Sequence, residues 1–74
     1  MATMNLTISD LRDALNLPLV FNEIIKLAQT ELQRGNTVVI NEKYTDNGIE
    51  VLNELVKFTD ILKFTDWVSE TFNV

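Results

Sequence analysis

The side chains that could do chemistry in this sequence are carboxylates, lysines, Tyr44 and the serines Ser9 and Ser69; histidine and cysteine are absent. Without His or Cys the usual general bases and nucleophiles are missing. Zinc, haem and iron–sulfur clusters have no ligand set. A carboxylate pair can do acid–base work, but it needs a concave pocket to hold a substrate. A chain of 74 residues has little interior left once its core is filled. Gly35 and Gly48 are the only glycines, so no phosphate-cradling loop is present. We expect no catalytic residue, no cofactor, no metal and no enzymatic activity.

Two constellations imitate sites. Asn47-Gly48 with Glu54 resembles the fifth, sixth and twelfth positions of a calcium-binding EF-hand loop. The first position would then be Lys43, a cation where a carboxylate is required. Lys-Phe-Thr-Asp occurs at 57–60 and again at 63–66. A six-residue shift turns a helix by about 240°, so the two copies cannot face one ligand. The repeat is scaffold.

What remains is contact chemistry. Drawn on a helix, Trp67 is the one large residue off the apolar face, beside Asp60 and near Lys63, and tryptophan is enriched among interface anchors. The expected partner-binding set is Trp67, Asp60, Lys63, Asp66 and Glu70. The competing expectation is that another helix wraps over the indole. A net charge of −5 favours a basic protein surface over nucleic acid or anionic lipid. Residues 6–28 can be drawn as a helix-turn-helix, but its second helix would present Asn22, Glu23, Lys26, Gln29 and Arg34, which is no phosphate-binding face. Glu31–Ile40 is similar, over ten residues, to the helix-to-strand junction of bacterial histone-like proteins. No basic arm follows it, and no property is carried over. Direct nucleic-acid binding is not expected.

The elements that must position these residues are legible in outline. Met4, Leu6 and Ile8 alternate with polar residues as in a short strand. Ser9 or Asp10 would cap a brief helix turning Leu11, Ala14 and Leu15 inward. Pro18 pushes Leu17 out of the helical region and opens the next helix. From Leu19 to Arg34, Val20, Phe21, Ile24, Ile25, Leu27, Ala28 and Leu32 share one face, and Gly35 is a C-cap. Asn36–Tyr44 is β-branched and predicts a strand, with Val38 and Ile40 on one side and Val39 on the other.

Residues 46–57 allow two structures. Asn47-Gly48 is a two-residue hairpin signal. Against it, Ile49, Leu52, Leu55 and Val56 fall at helical spacing, whereas strict alternation would put Leu52 and Val56 on one face with Glu50 and Glu54. The period favours a helix. A second helical segment, capped by Thr59-Asp60, would place Phe58, Ile61, Leu62, Phe64, Val68 and Phe72 on one apolar face.

The expected fold is therefore α+β: a single small domain over residues 1–74, with 1–3 outside its ordered part. It is mostly helical, with two short strands forming a ββ ribbon, a central helix, and a C-terminal helical pair or kinked helix over Asp46–Phe72. No segment approaches the ~20 apolar residues of a membrane span and no signal sequence opens the chain, so no membrane association and a cytoplasmic location are expected. The expected function is a non-catalytic, acidic protein-binding module that regulates or inhibits a larger partner with a basic surface. Phage and mobile-element products acting on host machinery share this size and composition. The alternative is a self-assembling structural subunit, a homo-oligomer through its strand edge or C-terminal helices, since a chain this short gains from assembly.

Overall fold

The computed structural model describes residues 1–74. They run as β1 (Thr3–Thr7), α1 (Ile8–Ala14), α2 (Pro18–Gln33), β2 (Thr37–Asp46), β3 (Ile49–Phe58) and α3 (Ile61–Phe72). The strands form one mixed sheet in the order β1–β2–β3, with β2 parallel to β1 and antiparallel to β3. The class is α+β, but the sheet has three strands where two were expected. Although the sequence put residues 1–3 outside the ordered part, Thr3 opens β1. Ala2 accepts from the amide of Thr37 and donates to Asn36 Oδ1.

The largest correction concerns residues 46–57, where a ten-residue strand replaces the expected helix. Asn47 (φ 51°) and Gly48 (φ 77°) both occupy the left-handed region. A two-residue turn of that kind matches the twist of the strands it joins. The ladder runs from Val38↔Phe58 to Asp46↔Ile49, but Ile40 pairs with Val56 while Asn41 pairs with Glu54. Leu55 is therefore the extra residue of a β-bulge, and the alternation slips there by one. Glu50, Leu52 and Glu54 take one face; Val56 moves to the other. Half of the conflict that argued against a strand is thereby removed, and Leu52 stays on the charged face, exposed to water. The helical spacing in turn has nothing to bury against: Ile49, Leu52 and Leu55 are all exposed.

A second correction follows: the C-terminal part is a single helix, α3, not a pair or a kinked helix. Of the two Lys-Phe-Thr-Asp copies, Lys57 and Phe58 end β3 and Asp60 caps α3, while Lys63 to Asp66 lie within it. The copies do different jobs, as a scaffold repeat must.

All three helices lie on one face of the sheet. Val38, Ile40 and Phe58 from that face meet Leu11 and Ala14 of α1, Phe21, Ala28 and Leu32 of α2, and Phe64 and Val68 of α3. Fully burying an aliphatic or phenylalanine side chain stabilises by about 1.5–3 kcal/mol. Phe64, Leu11, Ile40 and Val38, the largest side chains wholly out of water, anchor this layer. Val39 points to the opposite, helix-free face between Asn5 and Lys57.

The ends are set by local chemistry. Thr7, not Ser9 or Asp10, caps α1, its hydroxyl accepting from the Asp10 amide. Pro18 opens α2 after Leu17 (φ −131°, ψ 80°), and Gly35 leaves it at φ 82°. No helix is long and apolar enough to cross a membrane.

Candidate interaction surfaces

The expected partner-binding residues are distributed along α3 in three settings. Asp60 is its N-cap, Oδ1 accepting from the amides of Leu62 and Lys63. Lys63, Trp67 and Glu70 fall at i, i+4 and i+7, one row along the helix, while Asp66 lies on the solvent face beside that row. Lys63, Asp66 and Glu70 are exposed and Trp67 is half-buried. The indole is part of an aromatic chain. Its ring centroid lies 5.5 Å from Phe58 and 5.7 Å from Phe72, and Phe72 lies 5.6 Å from Phe21. Trp67 thus packs on the core with one side and leaves the other open to water.

Which side that is can be fixed. Thr65 accepts from the side-chain amide of Gln29 on α2, and Phe72 meets Phe21 of the same helix. Two residues on from Thr65 is roughly 200° around a helix, so Trp67 faces away from α2, along the β3 side of the layer.

The second surface is the outer half of the hairpin, residues 42–50, all exposed. Tyr44 and Ile49 belong to the helix-bearing face, but this half of the sheet has no helix over it; Ile49 is 67 % exposed. On the opposite face, Lys43 and Glu50 form an ion pair. They border a shallow depression of about 390 Å³ with Thr7 and Leu52.

The third surface is one that sequence reasoning missed. Leu17, Leu19, Val20 and Leu27 are exposed, Leu19 at 86 % and Leu27 at 51 %. Leu17 to Val20 line a depression of about 260 Å³ at the start of α2. Val20 and Leu27, expected on the core face, lie at its margin, roughly 100° from Phe21 and Ala28. The available signal was Leu19, which falls among the polar positions of the helical projection. With Glu23 between them, Leu19, Val20 and Leu27 form a stripe that the fold leaves in water.

No group of three acidic side chains converges as a metal site. No family model matches the chain, and comparison with the curated proteins and with the solved structures gave no match either.

Proposed function

We propose that this chain is a non-catalytic protein-binding module that regulates or inhibits a larger partner, held through the Leu17–Leu27 side of α2. The observation that carries this is the exposure of Leu19 together with Leu17, Val20 and Leu27. Single apolar residues in water are ordinary, but a contiguous group on one element marks a contact surface. The surrounding charge selects the partner. Glu23 lies within the stripe and Lys26 borders it beside Leu19, and the chain as a whole carries five more acids than bases, which favours a complementary surface with an apolar centre and basic surroundings.

The test is affinity capture of the tagged full chain from its native cells, beside a Leu19→Glu variant. We expect a protein retained by the parent and lost from the variant, with the circular dichroism spectrum unchanged. Equal capture by both removes the α2 surface from the proposal. Turnover of a small molecule by the purified chain, abolished by substituting a carboxylate, overturns the non-catalytic reading altogether.

A further inference from the structure

We infer that β3 pairs with β3 of a second copy of this chain, antiparallel about a two-fold axis at Asn53, joining two three-stranded sheets into one of six strands. The sheet order leaves β3 on an edge, with its outward N–H and C=O groups free to pair. Such a row is a template for another strand. A two-fold contact uses the same patch on both copies, so the strand must complement itself when reversed. β3 does.

Residues opposite one another in a ladder share a face. Leu55 has no partner on β2, lying between the rungs Asn41–Glu54 and Ile40–Val56, and it is left out of the outer register in the same way. With Asn53 on the axis, Leu52 meets Glu54, Val51 meets Val56, Glu50 meets Lys57 and Ile49 meets Phe58. Every residue of β3 except the bulged Leu55 is then paired. Val51, Val56, Ile49 and Phe58 all lie on the helix-bearing face, and Glu50 and Lys57 on the helix-free face. Val51–Val56 and Ile49–Phe58 are apolar with apolar and Glu50–Lys57 is acid with base, while Leu52 lies opposite Glu54. Moving the axis one rung keeps the faces but sets Glu50 against Glu54 in one direction, and Glu54 against its own copy in the other. Like charges directly opposite are destabilising, so the charges select the register.

The same register covers what one copy leaves exposed. The row Ile40–Val56 of one chain continues into Val51 and Tyr44 of the second. Ile49 of the second copy, at the bare hairpin end, comes beside Phe58. It then lies against the side of Trp67 that faces away from α2, next to Lys63 and Glu70. The expected contact role of Trp67 is filled by the chain's own hairpin. This pairing uses no residue of α2, so it is independent of the surface proposed above and presents that surface twice.

Sedimentation velocity of the full chain, from micromolar to near-millimolar concentration, tests it. The parent is expected as a dimer. Lys57→Glu alone and Glu50→Lys alone are expected as monomers, each setting like charges opposite. Their equimolar mixture regains the dimer, because both cross pairs are again acid with base. A parent that stays monomeric throughout, or charge variants that remain dimeric, overturns the inference. Should Glu50→Lys disturb the hairpin through Lys43, Asn53→Cys decides. It introduces the chain's single thiol on the axis and should cross-link under mild oxidation far faster than Thr45→Cys; equal rates exclude the register.

Discussion

The side-chain amide of Asn41 reaches from the central strand to β1, donating to Oδ1 of Asn5 at 3.2 Å and to the carbonyl of Leu6 at 3.3 Å. Asn41 is buried, on the helix-free face opposite Thr7. The β1–β2 ladder is only five residues long. A slip of one residue would turn Met4 and Leu6 away from the core and would also break both bonds of Asn41. The amide therefore fixes a register that a short parallel ladder holds weakly by itself.

From this we predict that Asn41→Ala lowers stability by about 1–3 kcal/mol, the range for losing a buried hydrogen-bonded group. Asn5→Ala should cost less than half as much, because the Leu6 carbonyl still accepts. Urea unfolding followed by circular dichroism gives both values. Equal losses would show that Asn5, not the bridge to the main chain, carries the register.

Where local chemistry decides the structure, the sequence was informative. Pro18, Gly35 and the Asp60 cap each act within a few residues of themselves, and α2 and the start of α3 lie where those residues put them. That Val38 and Ile40 share a side opposite Val39 was equally plain, since a strand alternates, but which side faces the helices was not. β3 was legible only through its Asn47-Gly48 turn, one of the two structures the sequence allowed, because Val56 leaves the face of Glu50 and Glu54 only with Leu55 as a bulge, and a bulge depends on the partner strand. The exposed stripe on α2 was hidden for a related reason. Periodicity shows that Val20 and Leu27 are apolar and near the core side, but only the packing of the other helices decides how wide a face is covered. Trp67 lay between the two cases. It is half-buried and packs against the core cluster, and its contact with Phe58 required β3 to be a strand.

The hairpin turn supplies the next prediction. Gly48 sits at φ 77°, and a Cβ placed there meets nothing within 4 Å. Steric conflict with neighbours is thus absent, and Gly48→Ala should cost only the backbone penalty of the left-handed region, about 1–2 kcal/mol. Gly48→Asn should recover part of that loss, since asparagine tolerates this conformation. Thermal unfolding of the two variants separates backbone strain from packing. An Asn variant no better than the Ala variant would place the cost elsewhere.

Phe64 and Trp67 are neighbours on α3, with centroids 6.5 Å apart, yet their truncations should differ in kind. Phe64 is wholly buried, and Phe→Ala in a core costs about 3–5 kcal/mol. A domain of this size has roughly that much stability in total, so Phe64→Ala is expected to be unfolded at room temperature. Trp67→Ala removes a side chain buried on one side only, and the variant should keep a folded spectrum with a lower urea midpoint. Trp67 also reports on self-association as the chain's single tryptophan: its emission should shift to the blue as concentration rises through the dimerisation range.

The cap of α3 provides the last prediction. Asp60 Oδ1 accepts from the Leu62 amide at 2.8 Å and from the Lys63 amide at 3.4 Å, satisfying donors that a helix start leaves open. Asp60→Ala removes that acceptor and should cost about 1 kcal/mol. Asp60→Asn keeps an oxygen in place and loses only the attraction of a full negative charge for the helix N-terminus, about 0.3–1 kcal/mol at low salt. The two contributions separate by ionic strength, because the charge term at an exposed end is screened and the hydrogen bond is not. In molar salt the asparagine variant should match the parent while the alanine variant stays destabilised. If both variants converge on the parent, the cap acts through charge alone, and the short bond to Leu62 contributes nothing measurable to holding α3 beneath β3.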